Sequence, residues 1–205
     1  MSVLVKATVI ARTRQRRPHH INMWSVKRGR KIPLAPGGVA VNLARMLIRL
    51  AKPEDSDAIW SILEPIFRAG DTYAVDPAIG REKALAYWTG APHEAFVAGA
   101  EGEVLGTYYI QPNQGGGGDH VCNCGYATAA AARGRGVARA MLAHSLDHAR
   151  VAGFRAMQYN FVVETNTRAV ATWRANGFEI VGRLPGAFRH PAEGEVDALV
   201  MFRRL

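Results

Sequence analysis

Cysteine is scarce in this chain: its 205 residues hold two, Cys122 and Cys124. An i, i+2 pair in an extended segment projects onto one face and lies too close for an ordinary disulfide. Zinc needs about four ligands, and the seven histidines form neither HExxH nor any other ligand spacing with them. The pair therefore reads as two small buried hydrophobes in a reducing compartment, with no metal expected. Long apolar runs are missing as well. None approaches the roughly 18 residues a membrane span requires, so no membrane partner is expected. Acids are absent from residues 1–45, which hold ten Lys or Arg; the first acid is Glu54.

That asymmetry decides how the net charge of +9 is read. Residues 46–205 carry 16 basic and 17 acidic side chains, so the excess belongs to the leading segment and not to the body. Nucleic acid is accordingly not an expected partner of the body. Residues 1–45 form a basic extension with three open readings. It is a dispensable or non-native leader, with Met46 as a second start; or an Arg-rich transit peptide; or a basic arm for nucleic acid or anionic surfaces. A cytoplasmic location is expected, or a mitochondrial one if the extension is a transit peptide.

From Met46 the pattern is that of one domain, residues 46–205. MLIRLA reads as a strand, and KPEDSDAIWSIL as a helix start with Asp55 or Ser56 as N-cap. Ile59, Leu63, Ile66 and Phe67 make its apolar stripe, and Pro65 is expected to kink or end it. REKALAYW is a second short helix. The period then changes: AFVAGA, a turn at Glu101-Gly102 and VLGTYYI form a hairpin, and QPNQGGGG reads as a flexible loop. DHVCNCGYAT is the next strand, followed by a glycine loop and a helix to about Ala152. AMQYNFVVE is a strand, TNTRAVATWRAN a helix stopped at Asn176-Gly177, and FEIVG and DALVMFRRL the closing strands. The order β-α-α-β-β-β-α-β-α-β-β describes an α+β domain around a mixed sheet.

The glycine loop is RGRGVARAML, residues 133–142. A P-loop needs GxxxxGK[ST], and no Lys-Ser or Lys-Thr follows. A dinucleotide fingerprint needs a third small residue where Arg139 stands, and an acid about 20 residues on. What the loop does meet is Arg/Gln-x-x-Gly-x-Gly/Ala, through Arg133, Gly136 and Ala138. Glycines remove Cβ atoms, so successive backbone N–H groups can converge on an anion where the helix dipole favours it. Arg133, Arg135 and Arg139 can add charge-assisted bonds, and Val137 begins the stripe that seats the helix.

With GYAT just before this loop and NTRAVATWRANGF after it, the chain over residues 46–205 resembles the GNAT superfamily of acyl-CoA-dependent N-acetyltransferases. The resemblance implies a mostly antiparallel sheet with one splayed parallel pair and flanking helices. It implies that Arg133, Gly134, Arg135, Gly136, Val137, Ala138 and Arg139 bind the coenzyme A pyrophosphate. Tyr126, Ala127 and Thr128 of the splayed strand would pair with the pantetheine, and Asn166 would contact it too. Acetyl-CoA is then the cosubstrate. In many members a Tyr seven residues after that Asn protonates the leaving thiolate; here the position is Trp173, so no tyrosine acid is expected there.

HVCNCGY, YNFVVETNTRAV and GFEIVGRLPGAFRHP are further similar to the fungal acetyltransferases that detoxify the proline analogue azetidine-2-carboxylate. That likeness implies substrate contacts from Asn123 and Asn160. Strand parity sets Val121, Asn123, Gly125 and Ala127 on one face of their strand, and Gln158, Asn160, Val162 and Glu164 on one face of theirs. Asn123 and Asn166 are the candidate catalytic residues; Asn123, Asn160 and Phe161 are the candidate substrate contacts. Glu164 and His120 are the nearest candidates for a base. The expected reaction is direct acetyl transfer to a small amine, an amino acid or a proline-like analogue. A protein or antibiotic acceptor, and a non-catalytic acyl-CoA-binding module, remain open alternatives. A homodimer is expected by analogy alone.

Overall fold

The computed structural model describes residues 46–205, so the readings of residues 1–45 lie outside the described residues. Strand β1 (Leu47–Leu50) is followed by helices α1 (Ser56–Ala69) and α2 (Arg81–Thr89). Strands β2 (Glu94–Ala100), β3 (Glu103–Pro112) and β4 (Val121–Thr128) come next. Helix α3 (Val137–Val151), strand β5 (Ala156–Val163), helix α4 (Thr167–Ala175), and strands β6 (Glu179–His190) and β7 (Gly194–Arg204) complete the described chain. The element order is the one the sequence periodicity predicts.

The seven strands form one sheet in the order β1-β2-β3-β4-β5-β7-β6. Every neighbouring pair is antiparallel except β4 and β5, which run parallel and pair only at Val121↔Ala156 and Cys122↔Met157. Beyond Cys122 the two strands part. This is the splayed, mixed α+β sheet expected.

Apolar residues on both faces hold the helices on the sheet. On one face, Met141, Leu142 and Leu146 of α3 pack with Tyr108, Ile110, Met157, and both cysteines, whose thiols are free. On the other, Ile59, Leu63 and Phe67 of α1 and Trp88 of α2 pack with Val97, Tyr109 and Ala127. Burial of the α1 stripe explains why Pro65 does not end that helix, which runs on to Ala69 and stops at left-handed Gly70. Pro65 sits on the exposed side with Ser61, the residue whose carbonyl it leaves without an amide partner, and that carbonyl can be hydrated there. Asp55 precedes α1 but does not cap it with its side chain. Its carboxylate instead accepts from the Lys52 amide at 2.7 Å and from Arg49 at 2.6 and 2.8 Å. The Arg49 bond holds its pKa below the usual carboxylate value.

Two further expectations are corrected. Residues 116–118 of the GGGG run form a 3-10 turn, closed by Gly118 and Asp119 amides bonding back to Gly115 and Gly116. Strand β6 extends far past FEIVG to His190, through Pro185 and Gly186. It is an edge strand whose pairing with β7 slips between Leu184 and Phe188, and such a slip at an edge accommodates a residue with no amide to donate.

A polar chain inside the sheet supplies a stability test. The Trp88 indole donates to the Thr107 hydroxyl at 3.0 Å, which donates to the Phe96 carbonyl at 2.8 Å, and Trp88 and Thr107 are fully buried. Thr107→Val keeps the shape but strands the indole N–H, at a cost of about 1–2 kcal/mol. Urea unfolding should show the midpoint falling with the slope unchanged.

Candidate active site

The parting of β4 and β5 opens a cavity of about 370 Å³. Asn123 marks the start of the opening: its amide donates to the Gln158 carbonyl at 2.9 Å, one residue beyond the last paired step. Asn123 is thus tied into the sheet as well as placed on the cavity wall. Tyr126 stands further along β4. Its phenol bonds to the Ser145 hydroxyl at 2.7 Å and accepts from the Tyr159 phenol at 3.3 Å, while its ring lies 5.2 Å from that of Trp173. The Tyr126 amide and carbonyl are both taken by one group, the Tyr73 hydroxyl, at 2.9 Å each.

On the β5 side, the pairing with β7 shifts between Tyr159 and Val162. This bulge breaks strict alternation, so Tyr159, Asn160, Phe161, Val162 and Val163 all line the cavity. Asn160 is anchored at both ends of its amide, accepting from Gln158 at 2.8 Å and donating to Asn113 at 2.6 Å. Asn166 caps α4, its side-chain oxygen accepting from the Ala169 amide at 3.2 Å, and it lines the same cavity. The structure therefore brings together Asn123, Tyr126, Asn160, Phe161, Asn166 and Trp173.

Neither candidate base joins them. Glu164 leaves the opening to form a two-pronged ion pair with Arg183 at 2.6 and 2.7 Å, and Arg183 also binds Asp197 at 2.6 Å. His120 is exposed in the turn before β4. For Glu164, strand parity fails because the bulge and the Arg183 pairing redirect the end of β5.

The other half of the cavity escaped the sequence reading. Thr72, Tyr73 and Ala74 come from the loop after α1, Tyr87 from α2, His93 from the turn just before β2, and Tyr109 and Gln111 from β3. Gly125 is required here, since a Cβ would meet the Tyr109 ring at 2.5 Å. Tyr109 lies over that glycine and His93 stacks on it, ring centroids 4.1 Å apart and 14° from parallel. Among the described residues, no Asp, Glu, Lys or Arg lines the cavity.

The glycine loop lies beyond the end of β4, after a 3-10 turn at Ala130–Ala132, and does not line the cavity. Gly134 and Gly136 adopt left-handed φ of 79° and 84°. The first bond inside α3 runs from the Ala140 amide to the Gly136 carbonyl at 3.0 Å, which leaves the amides of Val137, Ala138 and Arg139 without a helical acceptor. Arg133 and Arg139 are exposed, and the Nε of Arg135 is buried with no hydrogen-bond partner. Left-handed glycines, orphan amides and an unpartnered guanidinium nitrogen fit a diphosphate. Among the described residues, no cluster of three His, Cys, Asp or Glu could hold a metal, and no helix is long and apolar enough to cross a membrane.

Comparison with known proteins follows the same lines. The family model described as Acetyltransferase (GNAT) family matches residues 56–178. Among curated proteins, N-acetyltransferase aca1 of Schizosaccharomyces pombe is 33% identical over 98 residues, 47% of each chain. The match thus spans about half the length of that relative. Among solved structures, a GCN5-related N-acetyltransferase from Kribbella flavida is 43% identical with a TM-score of 0.75, covering 78% of this chain and 98% of that one. A GNAT superfamily phosphinothricin acetyltransferase from Sinorhizobium meliloti, in complex with acetyl-CoA, shares the fold at 23% identity and a TM-score of 0.69, covering 78% of this chain and 89% of that one.

Proposed function

The chain belongs to the GNAT acetyltransferase family, and from that premise we propose that it moves an acetyl group from acetyl-CoA directly onto a small amine, such as an amino acid or a proline-like analogue. One observation carries the reading: among the described residues, the opening between β4 and β5 has uncharged walls bearing amide and phenol side chains. A polycationic drug would be drawn to carboxylates, which this cavity lacks. A small acceptor bearing its own carboxylate can be held by neutral donors, and Asn123 and Asn160 supply amides where the strands part. Phe161 gives an apolar wall beside Asn160.

The orphan amides of Val137, Ala138 and Arg139, with Arg133, Arg135 and the left-handed Gly134 and Gly136, would hold the coenzyme's diphosphate. Tyr126, Ala127 and Thr128 lead from that loop back to the opening and would guide the pantetheine arm toward Asn166. Bound there, acetyl-CoA supplies the activated acyl carbon. The protein's share is to fix the reactants side by side and keep water away from them. Trp173 fills the place at which many relatives carry a tyrosine acid, and a thiolate with a free pKa near 8.5 can depart without one.

The test is a thiol-release screen of amino acids and cyclic analogues with acetyl-CoA, run beside Asn123→Ala. The variant should lose about fivefold in kcat/KM for the best amine, as one wall donor and one tie across the opening vanish, with acetyl-CoA affinity unchanged by calorimetry. A wild-type protein that releases no thiol with any amine rules the function out.

A further inference from the structure

We propose that His93 is the general base of this acetyl transfer, the group that takes the proton an acceptor ammonium must lose before its nitrogen can attack. The proposal rests on the acetyl-transfer reading above and assigns a role which that reading leaves open. An amine at neutral pH is mostly an ammonium ion without a lone pair, so some acceptor must remove a proton. The cavity wall narrows the choice. It carries no carboxylate, and Glu164, the nearest one by sequence, is held by Arg183 outside it. Burial keeps the phenols of Tyr73, Tyr109, Tyr126 and Tyr159 protonated, and does the same to the Cys124 thiol. His93 is left as the wall residue whose lone pair is available near neutrality.

Its placement suits the task. The backbone of His93 is anchored at the end of α2 by its amide bonding to the Gly90 carbonyl at 3.0 Å. Its ring is pinned face to face on Tyr109 and edge-on to Tyr87, with centroids 6.3 Å apart at 89°. The space for that stack exists because Gly125 has no Cβ. Nδ1 is buried without a hydrogen-bond partner, so Nε2 is the nitrogen that would take the proton. Burial lowers the pKa of the ring, against a smaller opposing pull from the Tyr87 and Trp88 carbonyls and the Gln111 side chain. The ring is therefore neutral at pH 7, and the groups that oppose burial are those that would steady the imidazolium once formed. The titratable groups facing it are the phenols of Tyr87 on α2 and Tyr109 on β3. Neither a carboxylate nor a cation is among the groups that move its pKa, and the adjoining Glu94 bonds to His148 at 2.9 Å.

The step balances. The ammonium gives one proton to the imidazole, and the freed lone pair forms the C–N bond to the acetyl carbon. The C–S bond breaks, the thiolate takes the second proton from the new amide nitrogen, and the imidazolium later returns its proton to solvent.

The experiment uses the full chain with His93→Gln and His93→Ala, acetyl-CoA, and the best amine of the screen at saturation. The glutamine variant should bind acetyl-CoA within about twofold of wild type by calorimetry, yet lose about 10²–10⁴-fold in kcat. Wild-type kcat should be level above neutrality and fall about tenfold per pH unit below a midpoint under 6.5. That limb should vanish in His93→Gln, and added imidazole should partly restore His93→Ala. Without cosubstrate, the imidazole resonance missing from the glutamine variant should titrate in the wild type below pH 6.5. A glutamine variant that keeps a third or more of kcat with the limb intact overturns the proposal, as does a resonance titrating at or above 6.5. If the glutamine variant does not fold, the wild-type profile and the titration decide. A wild type inert toward every amine sinks the transferase reading instead, and this proposal with it.

Discussion

Gly136→Val is expected to raise the dissociation constant for acetyl-CoA at least about a hundredfold while leaving a folded protein. Gly136 is the N-cap of α3 and sits at φ 84°, a region where a β-branched residue is a genuine outlier. Holding valine there costs on the order of 1–3 kcal/mol, and the chain escapes that cost by rotating φ to negative values. The rotation turns Gly134, Arg135 and the amides before the helix away from the amides of Val137, Ala138 and Arg139. A diphosphate that met all of them at once now meets about half. Charge-assisted bonds contribute about 1.5–3 kcal/mol each, so losing two accounts for two decades or more in affinity. The fold survives because Val137, Met141, Leu142, Leu146 and Ala149 still anchor α3 in the core. Calorimetry with acetyl-CoA, beside a melting curve, reads both halves of the claim. An unchanged affinity would remove the diphosphate from this loop.

The loop was legible because its signal is local: two glycines and three arginines ahead of an apolar stripe determine both backbone and charge within seven residues. The order of strands and helices was legible for the same reason, as a change of period along the chain. Three features were hidden by longer-range causes. The bulge after Tyr159 places Phe161 on the cavity wall beside Asn160, although strand alternation alone sends neighbours to opposite faces. FEIVG reads as a strand that ends at Gly182, whereas the pairing slip at an edge lets β6 continue through Pro185 and Gly186 to His190. The aromatic half of the cavity left no motif at all. Tyr73, Tyr87, His93 and Tyr109 come from four separate segments with no shared spacing, and only the packing of α1 and α2 onto β2 and β3 brings them together. For Asn166, the helix-cap role is visible in the structure and leaves its place on the cavity wall intact.

Tyr73→Phe is expected to make acetyl-CoA bind about ten- to thirtyfold more tightly while making the free protein less stable by about 1–2 kcal/mol. The Tyr73 hydroxyl donates to the Tyr126 carbonyl and accepts from the Tyr126 amide. These are main-chain groups of the splayed strand, left without a partner strand where β4 and β5 part. If the pantetheine arm pairs with that strand, it needs the same amide and carbonyl, so Tyr73 has to give up two bonds worth about 1 kcal/mol each when the cosubstrate enters. Phenylalanine removes that loss and leaves the two groups waiting in the cavity, where water satisfies them only in part. The free state rises, the bound state does not, and the difference appears as affinity. Burial holds the Tyr73 proton far above the physiological range, so the hydroxyl stays neutral and the gain should not vary between pH 6 and 9. Calorimetry across that range, with unfolding curves of both proteins, separates the outcomes. Tighter binding with lower stability identifies Tyr73 as a placeholder for the cosubstrate. Weaker binding with lower stability would mean that the hydroxyl stays at Tyr126 in the complex, and that the arm takes another path through the opening.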